Sequence, residues 1–129
     1  MSPTAPRPLV GPLLSAVGAM HVALTPAVAP VGFRSLLRAR VVDAVEGGDP
    51  AEATERALAF WFATTGVGLA ALGWAVTALE RTPGPLPRGL PLVLAGLGTW
   101  GAVQLPRSPF WVLLLLAGVA ERGRRRTGS

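Results

Sequence analysis

Between Arg56 and Glu80 the chain runs for 23 residues, Ala57 to Leu79, without a single charge. At about 1.5 Å of rise per residue, a helix of this length crosses the roughly 30 Å of a bilayer's hydrocarbon core. In that medium a backbone must satisfy its own hydrogen bonds, which restricts such a run to helix. The residues before it are helix-starting chemistry. Gly47-Gly48 breaks the chain, Asp49 suits an N-cap, Pro50 the first helical position, and Glu52 the acid of a capping box. Glu52 and Arg56 form an i,i+4 pair in the favourable order. Within the run, Ala59/Ala63, Gly66/Ala70 and Ala71/Ala75 are small-xxx-small pairs at which a second helix can approach closely.

The remaining charges are bunched in the same way. Residues 8–33 and 89–106 carry none. Charged residues make up 15% of the chain, against about a quarter in soluble domains. Half of the residues are hydrophobic, and mean hydropathy is +0.48. The expected fold is all-α: an integral membrane four-helix bundle with a short amphipathic segment between the first and second spans. A flank over 1–8 precedes a transmembrane domain over 9–122, with spans at about 9–31, 57–79, 89–105 and 109–121. A basic tail, 123–129, reads as disordered.

In the first span, Pro12 fits an opening turn, while Pro26 and Pro30 kink or end the helix. Gly11, Ser15, Ala19, Ala23 and Ala27 recur every four residues and read as a packing ridge. The same segment has an alternative reading as a cleaved signal peptide, from Arg7 through to Ala27-Val28-Ala29, although Pro30 follows the cut. Residues 33–46 read as an amphipathic helix in the headgroup region. Phe33, Leu36, Leu37, Val41, Ala44 and Val45 gather on one side, with Arg40 intruding among them. The third and fourth spans are short, so either Arg88, Arg107 and Arg122 snorkel or the hairpin sits shallow. Gly96, Gly98 and Gly101 are close-packing points in the third span, and Ser108-Pro109 is a cap-and-proline start for the fourth. The stretches 60–70 and 110–120 share Phe, Trp, Gly and Ala at matching offsets, which two similar helical hairpins would give and which chance between two lipid-facing helices gives as readily.

All 12 basic residues are Arg, a composition suggestive of a GC-rich bacterial genome. The sequence pI of 11.7 does not point to nucleic acid, because the Arg residues flank apolar spans and form no face interleaved with aromatics. With four spans and both termini cytoplasmic, seven Arg lie inside (7, 81, 88, 122, 124, 125, 126) and five outside (34, 38, 40, 56, 107). Arg122, Arg124, Arg125 and Arg126 are then candidate contacts to anionic lipid. In that orientation Phe60, Trp61, Trp100, Phe110 and Trp111 lie toward the outer ends of their helices. They read as headgroup anchors or as the lining of an outer pocket.

The first helix with Gly18 and His21, an acidic Gly-containing loop, "RALAFWF", "LGW", a turn with "LPR", a Gly-rich third helix and "PRSPFW" occur in this order. Together they resemble a family of small uncharacterised four-helix bacterial membrane proteins, over roughly residues 9–118. The pattern departs at Pro109, where the family has Gly. The resemblance implies architecture and carries no activity.

Chemistry is sparse. There is no Cys, which excludes thiolate catalysis and Cys-based zinc sites. The single histidine, His21, lies in the first span, and every carboxylate lies in a loop, in a flank or, for Glu121, at the end of the fourth span, so no triad or carboxylate relay through the membrane is expected. No cofactor or metal is expected. His21 and Thr25 share a helix stripe and form the candidate polar site within the membrane. The imidazole either bonds a neighbouring helix (Ser15, Thr64, Thr65 or Gln104) or faces a water-accessible cavity. The expected role is a non-enzymatic interaction, accessory or lipid-associated component, with membrane lipid and a homo-oligomer or larger membrane protein as partners. The alternative is a small-molecule carrier or permeability element lined by His21 and the outer aromatics.

Overall fold

The computed structural model describes residues 8–38, 44–45, 47–104, 106–107 and 110–127. Among them every regular element is a helix: α1 (Val10–Val28), α2 (Pro30–Arg38), α3 (Pro50–Arg81), α4 (Gly89–Gln104) and α5 (Trp111–Thr127). Two of these, α1 and α3, are long and apolar enough to cross a membrane. The chain divides into two compact units. One comprises 1–14 with 73–129, the other 15–72, so α1 and α3 each contribute to both.

Helix α3 is 32 residues long. It begins seven residues before the uncharged run, at the predicted Asp49-Pro50 start, and Ala53 N–H donates to the Asp49 carbonyl at 2.9 Å. Gly48 reaches φ +85°, a left-handed conformation in which a Cβ is strained, and so lets the chain turn into the helix. Pro26 lies inside α1, and the helix stops two residues later at Val28. The break is slight. Ala29 N–H still donates to Thr25 O, and Phe33 N–H to Ala29 O, so α2 resumes at once from Pro30. The amphipathic helix therefore starts three residues earlier than expected. Of its predicted second half, residues 39–43 and 46, with Arg40 and Val41, lie outside the described residues, and Ala44-Val45, expected on its apolar face, forms a turn.

The unit formed by residues 15–72 pairs α1 and α2 with the first half of α3. A Cβ on Gly18 would run into the backbone of Gly66 and Ala70; one on Gly32 would meet the backbone of Glu55 and Arg56. Ser15 Oγ donates to Ala70 O at 3.2 Å across the same contact. In the other unit a Cβ on Gly11 would meet Thr77 and Gly73. There the carboxylate of Glu80 accepts from the first amides of α1: Leu9 N at 3.1 Å, Val10 N at 2.8 Å and Gly11 N at 2.9 Å. These donors have no partner within their own helix, so the carboxylate serves as an interhelical N-cap and meets the positive end of the helix dipole.

The buried positions of α1 and α2 include Gly11, Gly18, Thr25 and Gly32; those of α3 include Ala59, Gly66 and Gly73. Both sets recur every seven residues. The expected four-residue ridge is thus corrected: Gly11 is buried and Ser15 half-buried, but Ala19, Ala23 and Ala27 are exposed. Of the pairs expected on α3, Ala59/Ala63 and Gly66/Ala70 are covered to differing degrees, while Ala71 and Ala75 are exposed.

Helices α4 and α5 pack on each other in the unit that ends the chain. Gly98 lies against Leu114, and Gly101 receives the ring of Phe110. Leu94, Ala102, Leu113, Leu116, Ala117 and Ala120 are buried. The tail expected to be disordered continues α5 as helix to Thr127. The apolar run of α5 stops at Ala120, and beyond it Glu121 pairs with Arg124 and Arg125 within the helix. The cap expected at Ser108-Pro109 lies outside the described residues, and α5 begins at Trp111.

Candidate functional site

The unit of residues 15–72 holds two polar arrangements. The first surrounds His21. Its Nδ1 lies 3.1 Å from the carbonyl of Val17, one turn earlier on the same helix. A carbonyl only accepts, so Nδ1 carries the proton in this bond, which leaves Nε2 as the ring's second polar atom. The ring stacks on Phe62 of α3, with centroids 4.8 Å apart and planes inclined by 26°. Thr25 is buried, and its Oγ1 donates to the carbonyl of His21 at 3.0 Å. His21 and Thr25 are thus adjacent on the same stripe, as their spacing implies. The imidazole's hydrogen bond goes to its own helix, not to the hydroxyl of a neighbouring one. Helix α3 contributes a ring face in place of a polar partner. His21 itself is half-buried.

The second arrangement centres on Arg56. Its side chain is only 7% exposed. Nη1 donates to Glu52 Oε2 at 3.0 Å and to Ser35 Oγ at 3.1 Å, and Nη2 donates to the carbonyl of Gly47. Ser35 Oγ in turn donates to Glu52 Oε2 at 3.3 Å. One guanidinium therefore joins α2, the loop before α3 and the first turns of α3. Glu52 takes the expected partner Arg56 and adds Ser35. Its carboxylate bonds these side chains, so the capping-box role expected for it is replaced by an ion-pair network. Arg56 Nε is buried and has no hydrogen-bond partner among the described residues. A cavity of about 510 Å³ opens here, lined by Val31, Arg34, Ser35, Arg38, Glu52 and Arg56. Three guanidinium groups face one carboxylate, so the lining is cationic.

The predicted aromatic residues divide between the two units. Phe60 and Trp61 meet edge to face, with centroids 5.2 Å apart, and both are exposed. In the other unit Phe110 packs on Gly101, Trp111 Nε1 donates to Pro106 O at 2.9 Å, and Trp100 is exposed. The predicted basic residues lie on the last turns of α5. Arg124 grips Glu121 with two bonds, Nε to Oε2 at 2.9 Å and Nη2 to Oε1 at 2.8 Å, and Arg125 Nε donates to Oε1 at 2.7 Å. Glu121 stands beyond the apolar run. These charged hydrogen bonds hold its carboxyl down to about 2, well below the ordinary carboxylate range. Arg122 is exposed.

Sequence reasoning treated Arg56 as the partner of Glu52 and as one of the outer-side Arg residues, and passed over Glu80. The seven-residue spacing of Gly11, Gly18, Thr25 and Gly32 was present to be read. It places Gly32, and hence α2, on the same seam that brings Arg56 under cover.

The described fold is thus an all-helical one in which small residues form the helix contacts and two helices have the length and composition of membrane spans. Residues 5–127 match the family of unknown function DUF6463, and the chain belongs to that family. No curated protein and no solved structure matches the chain significantly.

Proposed function

We propose that the chain is a multi-pass protein of the bacterial cytoplasmic membrane, with four spans, both termini cytoplasmic and α2 lying in the headgroup region. Its role in this reading is non-enzymatic: an interaction, accessory or lipid-associated component. One observation carries the membrane reading, namely which side chains lie inside. Gly11, Gly18, Gly32, Gly66 and Gly73 are buried, whereas Trp74 is 76% exposed, Leu92 72%, Leu115 70% and Trp100 67%. Water penalises that distribution, because large apolar surface is left exposed while little is buried. Lipid does not, and there close contact between small residues is what drives helix association.

Helices α4 and α5 set the limits of this reading. The 16 residues of α4 rise about 24 Å, and the apolar part of α5 about 15 Å. Four spans then require Arg88, Arg107 and Arg122 to reach out to the headgroups, with local thinning of the bilayer. The carrier reading draws on His21, whose Nε2 has no hydrogen-bond partner among the described residues on a half-buried ring.

The two roles part in a reconstitution experiment. For an accessory component, liposomes containing only this protein show no solute flux, and a larger membrane protein co-purifies in fixed ratio from native membranes. Flux of small polar solutes that is lost in His21→Phe would overturn that role in favour of a carrier.

A further inference from the structure

The cavity between α2 and the start of α3 is a built, cationic site with no role in the reading above. Arg56 is more than nine-tenths buried on its wall, yet its Nε finds no partner among the described residues. A buried donor left unmade is costly, and more so on a charged group. Among the described residues of the lining, Glu52 balances one of the three guanidinium groups, leaving an excess of two positive charges. Arg34 uses its Nε on the carbonyl of Pro30 at 3.1 Å, which fixes the side chain at the rim. Planar guanidinium forks match phosphate oxygens, which accept several short charged bonds at once.

The cavity's position selects among phosphate-bearing ligands. Arg56 immediately precedes the uncharged run Ala57–Leu79. On the other wall is Val31, and Val28 and Leu24 precede it at helical spacing down α1; all three are exposed. A polar, cationic cavity therefore continues into a stripe of exposed apolar side chains. We propose that the cavity holds the phosphate of a glycerophospholipid headgroup, gripped by Arg34, Arg38 and Arg56, with an acyl chain lying along Val31, Val28 and Leu24. The apolar stripe is what favours a lipid over free phosphate. The site rests on the membrane reading and specifies where in that reading a lipid is held. It is distinct from the basic turns of α5.

The test uses full-length protein purified in maltoside detergent, which contains no phosphate. Native mass spectrometry reads the binding of dioctanoyl-phosphatidylglycerol, of dioctanoylglycerol and of inorganic phosphate. The expected result is saturable binding of the phospholipid, with dioctanoylglycerol and inorganic phosphate each at least tenfold weaker. The double variant Arg34→Gln/Arg38→Gln, at exposed positions, is expected to lose at least tenfold in affinity while its helix content is unchanged. Arg56→Gln adds the buried donor but can also disturb folding, so the double variant decides. A variant carrying Arg124→Gln, Arg125→Gln and Arg126→Gln is expected to bind as the parent does. Equal binding by the parent and the Arg34/Arg38 variant overturns the proposal. So does loss of binding only in the α5 variant, and inorganic phosphate binding as tightly as the lipid refutes the lipid source. Resistance of the parent to alkaline carbonate extraction, measured alongside, separates failure of the site from failure of the membrane reading.

Discussion

At Gly18 a single added carbon has no room, because the backbone of Gly66 and Ala70 occupies the space a Cβ needs. Backbone cannot swing aside as a flexible side chain can, so Gly18→Val forces α1 and α3 apart. The expected cost is about 1–3 kcal/mol, the range for overpacked cores. Gly68 is on the same helix as Gly66 with open space around it, so Gly68→Val is the control and should be close to neutral. Unfolding of the purified proteins in mixed micelles, followed by circular dichroism, compares the two; equal stability would contradict the close-contact account. Glu80 is a second point where one residue does much. It serves three amides of α1, so Glu80→Ala leaves them to water or unsatisfied, at a cost of about 1–2 kcal/mol. Glu80→Gln keeps an acceptor but loses the charge, and should fall between parent and Ala in the same assay. The role of Glu80 could not be read from spacing. Glu80 was legible as a flanking charge, but its target lies some seventy residues away in sequence.

At the scale of helices, the four-residue ridge expected on α1 failed for a geometric reason. Four residues turn a helix by about 400°, so each step drifts about 40°, and by Ala27 the ridge has turned about 160° from Gly11. Seven residues drift only about 20° the other way. Gly11, Gly18, Thr25 and Gly32 therefore stay on one side, and all four are buried. The existence of the helices was legible because uncharged runs and Asp-Pro starts are local signals. The helix partner of each face was not, because it depends on which distant small residue completes the contact. For His21 the polar stripe with Thr25 was readable, and the stack on Phe62 was not. Helix α5 outran its apolar segment because Glu121 ties Arg124 and Arg125 to the following turn. The folded carboxyl titrates at about 2 against an ordinary 4.5. Its contribution is therefore fully present above about pH 4.5 and is lost as pH falls through about 2. Hydrogen exchange read against a peptide reference should show the last turns of α5 keeping their protection from pH 7 to pH 5. Glu121→Gln should fray them throughout that range. Equal protection in both proteins would show that the ion pairs do not hold the helix.

For the whole molecule, the four tryptophans report on what surrounds it. Trp61, Trp74, Trp100 and Trp111 are all more than half exposed. In a bilayer their fluorescence should be quenched strongly by brominated phospholipid and weakly by aqueous iodide. The reverse order would mean that the exposed apolar surface meets water or another protein. The central claim is that α1, α3, α4 and α5 each cross the membrane, and the hairpin of α4 and α5 is where it is most exposed to test. The chain has no Cys, so single cysteines can be introduced without background. The decisive measurement is labelling of Ala51→Cys, Pro85→Cys, Arg107→Cys and Arg122→Cys by a membrane-impermeant maleimide in intact cells. Four spans with cytoplasmic termini predict labelling at positions 51 and 107, and none at 85 and 122 until the cells are opened. If position 107 instead stays shielded alongside 85 and 122, α4 and α5 form a hairpin that enters from one side, and the four-span account is wrong.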